Sequence, residues 1–382
     1  MSSAEGGMAS PVTVITGREP LVRLAERLAA EPLVAFDLEA DSLHHYREKV
    51  CLIQITTPRE TVLVDPLAVT ELSPLAPVMA ARDTRKVMHG ADYDIRSLFR
   101  DFAIEVNNLF DTMIACQFLG EREVGLAAVL KKRFGVELDK RYQKADWSKR
   151  PLTEGMMAYA VQDTSLLIDL YRQLAAELQS GGRLSWVEEE SELVSRVRAV
   201  SRDHEPLFLR FKGAARMEPR TLAVLEELLR FRDDRARRSD LPPFKILGTE
   251  ALRELAEKRP LRPEDLGGIP GLSPLLIGRL GKGIVAAIAR GCELAPEILP
   301  RYPVSLRTKR DACCEERLQR LKKWRERTAK ELGMDAGIMA NNALLESLAE
   351  AAPADVPQLA AKVSIKEWQL REFGSALVEV LR

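Results

Sequence analysis

The feature that most constrains this chain is a change of pattern near its middle. The first half alternates short β-branched runs with helix-spaced leucines, while the second half carries almost no strand signal. Residues 12–16, 33–38, 50–56, 61–64 and 87–88 read as strands, and Pro58 marks the turn of an antiparallel hairpin between the third and fourth. Leu21, Leu24 and Leu28 recur at helical spacing over 18–30, and further helical patterns begin at Tyr93, Thr112 and Leu126. One long helix is predicted from an N-cap at Thr153 to the stop at Gly181-Gly182. Strands interleaved with helices predict an α/β layer fold with a mixed sheet.

The second half is punctuated by Pro242-Pro243, Pro260, Gly267-Gly268, Pro270-Gly271 and Pro300. Leu228-Leu229-Arg230-Phe231-Arg232 resembles Leu321-Lys322-Lys323-Trp324-Arg325, and Ala251-Leu252 resembles Ala343-Leu344 at nearly the same offset. A duplicated helical module is expected, with boundaries near 196–212 and 295–308. Charge divides along the same line: residues 1–195 hold 22 basic against 30 acidic side chains, residues 196–382 hold 35 against 27, and the whole is neutral. An acidic half suits cation binding and a basic half suits a polyanion.

With 46% hydrophobic and 30% charged residues, wholesale disorder is excluded. No apolar run approaches the roughly 18 residues that suggest a membrane span. The first ten residues read as a loose tail rather than a secretory signal. Cys51, Cys116, Cys292, Cys313 and Cys314 form neither a CxxC pair nor a disulfide framework, so a reduced, cytoplasmic protein is expected, with no membrane and no obligate protein partner.

Three acidic motifs carry the chemistry. Asp37-Leu38-Glu39 ends the apolar run 33–36, and on a strand the two carboxylates project to one face. Charges about 4 Å apart repel by roughly 4 kcal/mol at an effective dielectric near 20, so a proton, a base or a metal must offset them. His89-Gly90-Ala91-Asp92-Tyr93-Asp94 lies where a strand enters a helix, placing Asp94 near the first turn. Tyr159 and Asp163, four residues apart, share one helical face.

In this order, D-x-E, then Y-D, then Y-x-x-x-D resembles the DEDD superfamily of 3′–5′ exonucleases, in the subgroup with tyrosine in its last motif. Within it the chain resembles the ribonuclease D family. The runs Lys86-Val87-Met88-His89-Gly90-Ala91, Leu109-Phe110-Asp111-Thr112 and Asp146-Trp147-Ser148-Lys149-Arg150-Pro151-Leu152-Thr153 strengthen the likeness. The helical half resembles two HRDC modules, the second more divergent. The resemblance implies a ribonuclease H-like mixed-sheet exonuclease domain over 11–195 and two all-α HRDC-type domains over 215–294 and 308–382. The tail 1–10 and linkers 196–214 and 295–307 complete the chain.

The resemblance further implies two divalent ions, Mg²⁺ or Mn²⁺. Asp37, Glu39 and Asp163 would hold one, with Asp37 bridging to a second served by Asp94. Two-metal hydrolysis activates the water and stabilises the leaving oxygen. Tyr159, with an ordinary pKa near 10, is a poor base and would orient the attacking water. The expected reaction releases nucleoside 5′-monophosphates from RNA with a free 3′ end, tRNA precursors foremost. A DNA exonuclease and a non-catalytic nucleic-acid scaffold are the alternatives. Asp41, Asp65 and Asp92 read as solvated or capping, Asp111 as organising the next helix, and His89 as a buttress of the turn. Candidate nucleic-acid contacts are His44 and His45 by stacking, with a plain surface loop the alternative, Trp147 and Arg150 along the groove, with core packing and a structural ion pair the alternatives, and Arg238 and Lys282 on the helical half. Arg279 and Lys282 are placed near a Gly-rich turn. A basic stretch from Arg307 through Lys309 and Arg310 to Arg327, with Trp324 in it, is a further one.

Overall fold

A computed structural model describes residues 12–199, 204–303 and 311–382. The predicted tail 1–10 and Arg307, Lys309 and Arg310 of the basic stretch lie outside the described residues. In chain order the first half contains β1 (Thr13–Ile15), α1 (Arg18–Ala29), β2 (Leu33–Ala40), β3 (Val50–Thr56), β4 (Thr61–Val64), α2 (Ala76–Ala80), β5 (Arg85–Met88), α3 (Asp92–Phe102), β6 (Leu109–Asp111), α4 (Thr112–Phe118), α5 (Leu126–Phe134), α6 (Glu154–Ser165), α7 (Leu167–Ser180) and α8 (Leu184–Ser195). The strands form one mixed sheet in the order β1-β4-β3-β2-β5-β6. β3 is antiparallel to both neighbours, and the remaining pairings are parallel.

β3 sits inside the sheet with helices on both sides, so all seven of its residues are buried. Alternation assigns the faces. Val34, Phe36, Leu38, Ile53 and Ile55 join the core against α1, α2 and α3. Ala35, Asp37 and Glu39 take the other face, where α6 packs on β2 and β3.

The chain divides into two compact units. One contains residues 1–40, 50–199 and 308–382; the other contains 41–49 and 200–307. The second unit is built on α9 (Pro219–Ser239), α10 (Pro243–Ile246), α11 (Thr249–Lys258) and α12 (Pro274–Glu293), whose apolar faces form its own core.

The C-terminal helices α13 (Ala312–Leu332), α14 (Ala336–Met339), α15 (Asn342–Ala351), α16 (Val356–Lys362) and α17 (Glu367–Leu381) are part of the first unit. Trp368 stacks on Trp186 of α8 with ring centroids 4.9 Å apart, and its edge meets Phe118 of α4. Glu189 accepts the backbone N–H groups of Glu367 and Trp368, both at 2.8 Å, at the start of α17. An acid there satisfies amides that the helix itself cannot. Glu190 takes Lys366 and the Trp368 indole N–H. The second helical module therefore shares one apolar core with the nuclease half, rather than standing as a separate body.

The strand expectations hold in place and differ in extent: β2 runs on to Ala40 and β5 begins at Arg85. β6 and α8 were not foreseen. The long helix expected after Thr153 is two, α6 and α7, separated at Leu166. Thr153 caps α6 as expected, accepting the Met156 N–H at 3.2 Å.

Candidate active site

β2 delivers the first two acids. Asp37 and Glu39 leave the same face, and the register slips between Glu39 and Ala40, where β3 carries one extra residue. Such a bulge re-aims side chains at a strand end. Two ties hold α6 over this face: Thr56 of β3 bonds Thr164 of α6 at 2.7 Å, and fully buried Ala160 lets the helix approach. Asp163, one residue before Thr164, then meets the strand acids. Asp37, Glu39 and Asp163 each present an oxygen, all within 4.8 Å of one another.

Asp94 enters just past the C-terminal end of β5, the parallel neighbour of β2. β5 turns at Gly90, where φ is +74°, into α3. Asp111 fixes the turn by accepting the N–H groups of Gly90 (2.9 Å) and Ala91 (2.8 Å), and caps α4 through Met113 and Ile114. His89 bonds Thr112 at 2.9 Å, a buttress as expected. Asp94 lies buried in the first turn of α3, outside the tight group of three but close enough to act on its charges.

The electrostatics are those of crowded acids. Burial above all, then the charges of Asp94, Asp163 and Glu39, holds Asp37 well above the carboxylate range; the Leu38 backbone bond offsets this in part. Burial, then Asp163 and Asp94, pushes Glu39 up to about 9. Burial and Asp111 push Asp94 to about 8, and burial raises Asp163 to about 7 against a hydrogen bond from Tyr159. The Tyr159 phenol is raised too, by burial and then by Asp163, Glu39 and Asp37, and stays protonated at neutral pH. Its ring is held by Trp147 and Tyr142, with centroids at 5.9 and 6.0 Å.

The donor set is all carboxylate oxygen, without sulfur or imidazole, which suits a hard divalent cation. Ligands at about 2.0–2.6 Å around one ion stand roughly 3–5 Å apart. The group of three could hold a metal with little movement.

Two candidate nucleic-acid contacts take their alternative roles, core packing and an ion pair. Trp147 is 1% exposed and packs beneath Tyr159, so it cannot stack on a base. Arg150 pairs with Asp65 through both nitrogens (2.6 and 2.7 Å) and donates to the Cys51 and Trp147 carbonyls. Asp65, read as solvated or capping, does cap the turn at Leu67, and it is a buried ion-pair partner besides. Asp41 is also buried, accepting Lys49 N–H at 2.8 Å, whereas exposed Asp92 pairs with Arg96.

In the second unit, His45 bonds Asp240 at 2.7 Å, and Tyr46 donates to Asp233. His44 lies in the same 41–49 segment. Arg238 is exposed in the last turn of α9. Lys282 and Arg279 are exposed too, but on the unbroken helix α12, not at a glycine turn: Gly278, Gly281 and Gly283 are helical. Trp324 is core, edge-on to Phe373 at 5.6 Å, while Arg317, Arg320 and Arg325 bind backbone carbonyls.

The sequence did not reveal the cleft beside these acids. A cavity of about 240 Å³ is lined by Tyr159, Asp163, Gln143, Lys140 and the start of α5. A larger one of about 750 Å³ adjoins it, sharing Ala127, Ala128, Leu138 and Lys140 and adding Lys131 and Lys132, which pair with Glu137 and Glu121 of the same lining. The paired lysines at the end of α5 were the available signal.

Comparison with known proteins follows the same division. A family profile described as a 3′–5′ exonuclease matches residues 12–179, and the HRDC domain profile matches 221–288 and 315–381. The ribonuclease D of Nitrobacter hamburgensis is 30% identical over 366 residues, covering 95% of this chain and 93% of its own. That of Gluconacetobacter diazotrophicus is 32% identical over 335 residues, covering 82% and 84%. Among solved structures, Escherichia coli RNase D, described as an exoribonuclease involved in structured RNA processing, superposes with a TM-score of 0.72 at 26% identity, covering 97% of this chain and 99% of that one. The catalytic core of RRP6 from Trypanosoma brucei superposes at 0.64 with 30% identity, over 75% and 81%.

Proposed function

This chain belongs to the ribonuclease D family of 3′–5′ exoribonucleases, and on that footing we propose that it matures structured RNAs, tRNA precursors foremost, at their 3′ ends through a two-metal site of Asp37, Glu39, Asp94 and Asp163. The convergence of three carboxylates within 4.8 Å is the observation that carries this reading. Asp37, Glu39 and Asp163 would hold one ion, and Asp37 with Asp94 the other; Mg²⁺ or Mn²⁺ suits the oxygen donors. Bound there, divalent cations supply a nucleophile at neutral pH and charge neutralisation at the leaving oxygen.

The chain's own groups do the rest. Tyr159 keeps its proton and so acts as a hydrogen-bond partner that orients the attacking water, not as its base. Trp147 and Tyr142 fix the direction of that hydroxyl. The cleft past α5 gives the RNA strand behind the terminal nucleotide a path beside Lys140, then Lys131 and Lys132. Five free cysteines fit a reducing compartment, the cytoplasm, and among the described residues no helix is long and apolar enough to cross a membrane.

The test is product analysis on a 3′-extended tRNA precursor and a matched DNA, with Mg²⁺, with Mn²⁺ and with chelator. Nucleoside 5′-monophosphates should appear from RNA only with metal, and Asp37→Asn should abolish them while leaving RNA affinity near wild type. Turnover by Asp37→Asn, or with metal removed, would refute the assignment.

A further inference from the structure

One polar side chain on the α6 face of the sheet has no place in the mechanism above. Gln54 is fully buried in the middle of β3, and neither its Oε1 nor its Nε2 has a hydrogen-bond partner among the described residues. An amide buried without partners is costly, and native structures rarely tolerate one without a reason.

Its position supplies the reason. In the β2–β3 register Gln54 stands directly opposite Asp37, and in the β3–β4 register it stands opposite Leu63. Directly opposed residues share a face, with Cβ atoms about 4.5–5.5 Å apart, well within reach of a glutamine. Its neighbours two residues away on the same face both pack under α6: Leu52 clusters with Tyr159 and Ala160, and Thr56 bonds Thr164. The Gln54 amide is thus confined between the Asp37 carboxylate and the helical turn that carries Asp163.

We propose that Gln54 is a positioning residue for the metal site, its Nε2–H group, unpartnered in the metal-free chain, turning to donate to the Asp37 carboxylate when that carboxylate holds a cation. A carboxylate that bridges two cations must hold a fixed orientation, and a second hydrogen-bond partner behind the ligand is the common means of fixing it. The inference rests on the metal reading above and deepens it, by naming what aims the bridging ligand. Nε2 carries two donors, and an ionised carboxylate offers more lone pairs than a cation would use.

The experiment is Mn²⁺ titration of the full chain followed by electron paramagnetic resonance, with steady-state kinetics on a 3′-extended RNA and melting of the chelator-treated protein alongside. Gln54→Met keeps the shape and removes the amide. It should weaken Mn²⁺ binding and lower kcat by roughly 10–100-fold. KM should stay near wild type, and the metal-free protein should melt no lower than wild type. Gln54→Leu, which removes the amide and adds no charge, should weaken Mn²⁺ binding as well, and it reports should Gln54→Met fail to fold. Leu63→Met, on the other flank of Gln54, should leave the affinity unchanged. Gln54 variants that bind Mn²⁺ within about threefold of wild type would overturn the positioning role alone, since the expected loss is larger. A wild-type chain that takes up no Mn²⁺ would overturn the metal reading and this inference with it.

Discussion

Removing one charge from the acid cluster should stabilise the metal-free protein, and Asp163→Asn is the cleanest way to see it. Two charges 4.8 Å apart repel by about 3.5 kcal/mol at an effective dielectric near 20. Burial of the charge itself carries a penalty of similar size, read through linkage. Asp163 is buried and its pKa is pushed up to about 7, some three units above an unfolded carboxyl, at about 1.4 kcal/mol each or roughly 4 kcal/mol in all. The sign follows from the direction of the shift. Between about pH 4 and pH 7 the folded state holds a proton that the unfolded state has lost, so stability falls as pH rises through that window and the full penalty applies above it. Asparagine removes the penalty and gives up part of the Tyr159 hydrogen bond, about 1 kcal/mol. A net gain of about 2–3 kcal/mol should raise Tm by roughly 5–10 °C. Scanning calorimetry in chelator should show this gap near pH 8 and see it close as pH falls towards about 4. Mg²⁺ should raise the Tm of wild type and do little for the variant. Equal melting of the two proteins across the range, or a less stable variant at the high end, would refute the account of the cluster as a source of strain.

Two further outcomes test the surrounding structure. Trp368→Ala removes the ring stacked on Trp186 and should destabilise the whole first unit, nuclease half included, by about 3–5 kcal/mol; chemical denaturation followed by loss of exonuclease activity should report one shared transition, and a nuclease half that melts unchanged would contradict the common core. Lys131→Ala combined with Lys132→Ala should lower the slope of log affinity against log salt by about 1.4 for a single-stranded 3′ end, with kcat little changed, and an unaltered slope would place the RNA strand elsewhere.

Legibility in the sequence followed the range of the interactions that fix each element. β3 and β4 were visible because β-branched residues flank a proline turn, and the D-x-E pair because period two places both carboxylates on one side of β2. β6 has three residues and runs straight into a capped helix, too short for any period to show. The break at Leu166 carries neither Gly nor Pro, so nothing local announces it. Gln54 reads in sequence as a gap in an apolar run; only its register against Asp37 gives it meaning. The union of the last five helices with the nuclease half depends on Trp186 meeting Trp368, a contact 182 residues apart that no local pattern encodes.

The reassignment of Trp147 and Arg150 explains how the site keeps its geometry. Four carboxylates repel one another, so the elements that bear them would part unless something else joined them. β2 is held by the sheet, whereas α6 is held to that sheet by packing and by the Thr56–Thr164 bond. Residues 146–153 lead into α6, and here Arg150 ties the chain to the Cys51 carbonyl of β3 and to Asp65 just after β4, while Trp147 fills the space beneath Tyr159. Arg150 reaches solvent but Asp65 is buried, so removing the arginine would leave a buried carboxylate without its charged partner at a cost of roughly 1–3 kcal/mol. The run Asp146-Trp147-Ser148-Lys149-Arg150 therefore acts as the clasp that presses Tyr159 and Asp163 down onto Asp37.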